Sequence, residues 1–336
     1  MEDFFYRVPK IELHCHLDGS ITPKVIRKMY DLSSTPLNLT DEELKRKVSA
    51  PKKCQNLTEY LSCFPMVTAV LNTRTALKLA LMDLMDQASK ENVLYQEIRF
   101  SPKYLSSDGL SMEEVIESLV QAKSEIEDNY SISIGLIACC MRGHSEETNL
   151  EVVRLAKKYQ KFGLVGIDLA GNEIKYPTKE YKKIFSYAET VGLSYTIHAG
   201  ETGNIENVHY AIEFGAKRIG HGVALAKDRS MMKLAEEKEI LLEMCPVCNI
   251  QTGASEDWGN YPTTLFDEMG VKYCFNTDNR TVSNTTMTRE FTEIDKNKQK
   301  MSESEVKNQT LLAVDYLFIT EAEKKNLRER IRTFYI

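Results

Sequence analysis

Two histidines, His14 and His16, flank Cys15 in one short apolar run. Side chains alternate faces along an extended strand, so both imidazoles point one way and Cys15 the other. Two imidazoles so placed can chelate one cation. Only six histidines occur in 336 residues. Two more end similar runs: His198 in His198-Ala199-Gly200-Glu201, and His221 in Gly220-His221-Gly222. Asp278 ends another, in Asn276-Thr277-Asp278-Asn279. Three imidazoles and a carboxylate suit a borderline cation such as Zn²⁺. A zinc with one open position lowers the pKa of water to roughly 7 and so supplies hydroxide at neutral pH. We take His14, His16, His198 and Asp278 as the ligands of one zinc per chain. His221 and Glu201 then lie beside the metal. His221 would orient or deprotonate the water, and Glu201 would deliver a proton to the substrate. A carboxyl group on a pocket floor of low dielectric is held protonated, as an acid must be. In a bystander role Glu201 would instead orient one of the histidines. His144 and His209 fall away from the run ends and are read as non-catalytic.

These residues need a scaffold that brings distant run ends to one place. Eight candidate strands can be read: Ile11–His16, Leu94–Phe100, Ser133–Cys139, Val165–Ala170, Ser194–His198, Arg218–His221, Ile240–Cys245 and Lys272–Asn276. Most are near-continuous apolar runs, as expected of parallel strands buried on both faces. Helical stretches lie between them, two opened by capping boxes, Thr40 with Glu43 and Ser111 with Glu114. Eight βα units in series predict an α/β fold, a closed (β/α)₈ TIM barrel. In such a barrel all strand C-termini converge on one face, where active sites form. The connection from His16 to Leu94 far exceeds a βα loop. Its patterns at Thr22–Leu32, Asp41–Ser49 and Leu57–Val70 predict a helical insertion after strand one, serving either as a lid or as plain structure. The tail from Thr285 to Ile336 reads as extra C-terminal helices. No linker or repeat interrupts the chain, so residues 1–336 are read as a single domain.

Composition excludes several classes. Apolar residues make up 42% and charged residues 27%, ordinary globular values. Lys plus Arg number 43 and Asp plus Glu 49, a formal net charge of −6. That balance gives no reason to expect nucleic acid or an anionic membrane as partner. No apolar run approaches bilayer length. Met1–Arg7 carries acids and aromatics, unlike a basic and apolar leader, and the eight cysteines are scattered. We therefore expect reduced thiols and a cytoplasmic protein. Cys245-Pro246-Val247-Cys248 lacks a second pair at zinc-finger spacing and a thioredoxin-like context. The Pro-Cys-x-x-Cys half of the cytidine-type deaminase pattern is also absent.

The chain resembles, from end to end, the adenosine deaminase family of the metal-dependent amidohydrolase superfamily, in its bacterial-type branch. The motifs that carry the likeness occur in the family's order: Glu12-Leu13-His14-Cys15-His16-Leu17-Asp18-Gly19-Ser20, Arg99-Phe100-Ser101-Pro102, Ile167-Asp168-Leu169-Ala170-Gly171-Asn172-Glu173, His198-Ala199-Gly200-Glu201, Gly220-His221-Gly222 and Thr277-Asp278. The resemblance implies zinc on His14, His16, His198 and Asp278, with His16 also facing the substrate. It implies that hydroxide attacks C6 of the purine, Glu201 protonates N1, and His221 orients the hydroxide. It implies that the Gly171 backbone N–H faces purine N3. It assigns Asp18 to a ribose hydroxyl, where adenine deaminases tend to have Glu and methylated-AMP deaminases Asn. An anion there accepts from a 5′-hydroxyl and repels a 5′-phosphate. In a structural role Asp18 would cap the helix near Thr22, and Gly171 would be a turn glycine. The likeness departs at Asn279, where many members have a second Asp facing N7. An Asn amide can donate to that acceptor directly. The expected partner is a small purine nucleoside: adenosine, with 2′-deoxyadenosine, hydrolysed to inosine or deoxyinosine and ammonia. Adenine or another N6-substituted purine is the alternative substrate. A catalytically dead binding barrel is the rival class, and the complete ligand set with Glu201 speaks against it. The oligomeric state is left open.

Overall fold

Eight strands form the frame of this computed structural model, which describes residues 1–55, 57–297 and 300–336. They are β1 (Lys10–His16), β2 (Val93–Phe100), β3 (Ser133–Met141), β4 (Leu164–Ala170), β5 (Ser194–Ala199), β6 (Arg218–His221), β7 (Leu241–Met244) and β8 (Lys272–Phe275). All neighbours pair in parallel and in chain order. The return from β8 to β1 is made beyond the end of β8. His16 N–H donates to Asp278 O at 2.7 Å, and Asp278 N–H to His14 O at 2.9 Å. The Asn276 side-chain oxygen accepts from Leu13 N–H at 2.7 Å. The (β/α)₈ barrel is thus nearly closed. β6 has the expected bounds, and the other strands differ from expectation by at most two residues at an end, because ladder hydrogen bonds and not apolar runs define them.

Helices cover the outside because their apolar stripes need the sheet. The helix Glu146–Tyr159 buries Val152, Val153, Leu155 and Ala156 and packs on β3 and β4. Both expected capping boxes form, at Thr40 with Glu43 and Ser111 with Glu114. Such a cap is worth typically about 1 kcal/mol. Between β1 and β2 lie helices Pro23–Leu32, Asp41–Lys47, Leu57–Leu61, Pro65–Thr68 and Arg74–Lys90. The helix expected over Leu57–Val70 is therefore two short ones. Pro65 has no N–H to continue the first and its fixed φ suits the start of the second. The tail folds into helices Met287–Asn297, Glu303–Asp315 and Glu321–Phe334; Lys298 and Gln299 lie outside the described residues. No helix among the described residues is long and apolar enough to cross a membrane.

The barrel interior is charged where an apolar fill is the norm. Arg99, Arg218, Glu97, Asp168 and Glu243 are each 0% exposed. Arg99 reaches Asp168 at 2.7 Å and Glu243 at 2.9 Å. Arg218 reaches Glu97 at 2.5 Å and Glu243 at 2.6 Å. Removing one member of such a network strands a buried charge at a cost of about 3–5 kcal/mol. Its use here is to fix two carboxylates, Asp168 and Glu243, beneath the C-terminal face.

Candidate active site

Four of the six histidines meet at that face. His14 and His198 have ring centroids 4.5 Å apart, and His198 and His221 5.1 Å apart. Asp278 Oδ1 lies 3.3 Å from Nε2 of both His14 and His16. His16 Nε2 lies 3.2 Å from His198 Nε2. The two remaining histidines stay outside: His144 packs edge-on to Tyr104, and exposed His209 lies on the helix Ile205–Glu213. Strand geometry alone does not aim all these groups inward. His221 and Asp278 sit in the left-handed region, at φ 62° and 61°. That backbone costs a non-glycine residue on the order of 1–3 kcal/mol and concentrates at functional sites.

One atom each from His14, His198, His221 and Asp278 falls within a 4.8 Å cluster, and His16 closes on the same point. Five groups therefore surround a place for one cation. The donor set suits zinc. Nε2 of His14 is buried with no hydrogen-bond partner. Burial and then neighbouring positive groups hold His14, His16 and His221 well below the usual imidazole range, which favours neutral rings, the form a metal site requires of its histidines. The facing nitrogens of His16 and His198 repel unless a proton or a cation lies between them. The residues present fit a metal.

The partners of each ring differ. His14 Nδ1 lies 2.8 Å from Glu243 Oε2. Burial would raise Glu243, but Arg218 and Arg99 hold it at about 2. His198 Nδ1 lies 2.8 Å from Asp168 Oδ2, which His198 and Arg99 hold below the usual range against the effect of burial. Carboxylates so placed can fix the tautomer and orientation of a ring that binds a metal. His221 Nδ1 instead faces Asn249 Nδ2 at 3.0 Å. The Cys248 thiol hydrogen-bonds to Asp278. Sequence reasoning assigned no function to Glu243, Asn249 or Cys248. A charged residue amid the apolar run Ile240–Cys245 was the available signal for Glu243; the other two had none.

Glu201 lines the same cavity, of about 620 Å³, with Asp18, Gly171 and Asn279. Its Oε2 lies 3.9 Å from His221 Nε2. Burial first, then the charges of Asp278 and Glu173, push its carboxyl well above the usual range. Glu173 holds the loop on both sides of it, accepting from Gly200 N–H at 2.9 Å and Thr202 N–H at 2.5 Å. Burial pushes Asp18 up to about 6, against the pull of the Asp18 and Gly19 N–H groups. Asp83, not Asp18, serves the helix start: it accepts from Thr22 N–H and its hydroxyl at 2.6 and 2.9 Å. Gly171 has φ 106°, which a side chain rarely adopts. At Gly19 a Cβ would come within 1.8 Å of Asn279 Oδ1. The Asn279 amide donates to Tyr60 Oη at 3.0 Å, and Tyr60 Oη also lies 2.7 Å from Ser283 Oγ.

Known proteins resemble this chain both in sequence and in fold. The adenosine deaminase family model matches residues 9–334. An adenosine deaminase of Enterococcus faecalis is 38% identical over 330 residues, covering 98% of this chain and 98% of that protein. In structure, an adenine deaminase from Arthrobacter aurescens superposes with TM-score 0.89 at 23% identity, covering 98% of this chain and 99% of that one. A zinc-bound amidohydrolase from Burkholderia ambifaria gives 0.88 at 19% identity, covering 99% and 92%. These two structures show the shared fold.

Proposed function

Because the chain belongs to the adenosine deaminase family, we propose that it hydrolyses the 6-amino group of adenosine, and of 2′-deoxyadenosine, to release ammonia. The observation that carries this is Glu201. A largely enclosed carboxyl, whose surroundings favour its protonated form, lines one cavity with a histidine–aspartate cluster. His14, His16, His198 and Asp278 would hold a single zinc. A bound zinc makes hydroxide available at neutral pH by lowering the pKa of water to roughly 7. A proton on Nδ1 of His14, 2.8 Å from Glu243, and on Nδ1 of His198, 2.8 Å from Asp168, would leave each Nε2 lone pair for the metal. In this assignment, which follows the family resemblance, His221 is the group outside the ligand set.

Glu201 gives its proton to purine N1, so negative charge does not accumulate on the ring as C6 is attacked. His221 orients the attacking oxygen. The Gly171 N–H meets N3, and the absent side chain lets the base approach the backbone. Asn279 turns an amide N–H to N7, leaving Tyr60 to Ser283. Asp18 accepts from the ribose 5′-hydroxyl, and its charge opposes a 5′-phosphate. His16 packs beside the bound nucleoside. Eight free, buried cysteines accord with a reducing, cytoplasmic setting.

Glu201→Gln is the direct test. The variant keeps its zinc and loses turnover by about 10²–10⁴. Loss of zinc in that variant, with activity restored by excess metal, would make Glu201 a positioning residue.

A further inference from the structure

A neutral imidazole has one donor and one acceptor nitrogen, and the partner on one side decides the other. For His221 that partner is Asn249, whose Nδ2 lies 3.0 Å from His221 Nδ1. The orientation of this amide is fixed by a group that cannot reverse. Cys245 backbone N–H donates to Asn249 Oδ1 at 3.3 Å, and Tyr261 O–H donates to the same oxygen at 3.0 Å. An amide with its oxygen so engaged presents N–H to His221. All these groups are buried: Asn249 and Cys245 at 0%, His221 and Tyr261 at 1%. The unit is thus shielded from bulk solvent, and the Cys245 N–H and the Tyr261 hydroxyl set the orientation of the amide.

We propose that Asn249 is a positioning residue that locks His221 in the Nε2–H tautomer. His221 Nδ1 carries the lone pair facing the amide. Its Nε2 carries the proton facing the reaction centre. His221 consequently acts there as a hydrogen-bond donor to the attacking oxygen, and it acts neither as a base nor as a metal ligand. The contrast with His14 and His198 is set by chemistry on the far side of each ring. A carboxylate behind the ring yields a ligand; an amide N–H behind it yields a donor. This rests on the function proposed above for the role of the donated proton, but the tautomer itself does not.

The test is ¹⁵N spectroscopy of histidine side chains in the zinc-loaded protein, with the His221 signals identified from His221→Gln. Wild type is expected to show pyrrole-type Nε2 and pyridine-type Nδ1 at His221. Asn249→Asp, whose carboxylate can only accept, is expected to exchange the two signals. It should also lower kcat about 100-fold, the scale of losing one aligned donor, with KM within twofold. A wild-type spectrum with protonated Nδ1 overturns the proposal. So does an exchanged tautomer in Asn249→Asp with kcat intact. The wild-type spectrum decides alone if that variant does not fold. The expected spectrum in a protein that releases no ammonia from adenosine would sink the proposed function and leave the tautomer standing.

Discussion

Asn279 is where this chain departs from the family pattern it resembles, and its side chain is already committed. It donates to Tyr60, whose hydroxyl has Ser283 as a second partner. The exchange of Tyr60 for purine N7 therefore leaves no hydroxyl unpaired. We predict that Asn279→Ala lowers kcat/KM for adenosine by about tenfold, the value of one good hydrogen bond of roughly 1.4 kcal/mol. The same variant should handle 7-deazaadenosine as wild type does. Equal losses on both substrates would assign Asn279 to packing against Gly19. At this scale the sequence was legible where chemistry is carried by rare residue types at strand ends. His14, His16, His198, His221, Glu201 and Asp278 all reach one cavity or its floor. It was illegible where a role comes from a partner: Glu243 orients His14 across 229 residues, and Asn249 meets His221 across 28.

At the scale of elements, the periodicity of apolar runs placed every strand within two residues, because strands buried on both faces have little else to be. The insertion was less legible, since Pro65 divides an apolar stretch that otherwise reads as one helix. What the runs could not reveal is how neighbouring elements are pinned. Glu290, on the helix Met287–Asn297, accepts from Val247 N–H at 3.0 Å, at the start of the helix Pro246–Thr252. It also accepts from the Thr285 hydroxyl. Burial pushes its carboxyl up to about 8, above the value it takes when unfolded. Between roughly pH 4.5 and 8 the native state thus holds a proton that the unfolded chain has lost. Its contribution is complete below that window and declines as pH rises through it, by at most about 1.4 kcal/mol per pH unit. Glu290→Gln stays neutral, so its stability should fall less from pH 5.5 to pH 8 than wild type's in denaturant unfolding. Parallel decline in the two proteins would mean that Glu290 is ionised throughout.

Across the whole molecule, the candidate ligands come from β1, from β5 and from the segment after β8, so the site exists only when the barrel closes. The same backbone that closes it, His16 N–H to Asp278 O, carries two of them. The mild net charge of −6 and the 620 Å³ cavity suit a small neutral substrate better than a polyanion. The claim at the centre of this account is that the cavity takes a nucleoside and removes its 6-amino group. The most direct measurement is ammonia release by the zinc-loaded protein offered adenosine, adenine and AMP in parallel. We predict a clear preference for adenosine in kcat/KM. Preference for adenine or AMP would contradict the role of Asp18, and no release from any of the three would contradict the proposed reaction itself.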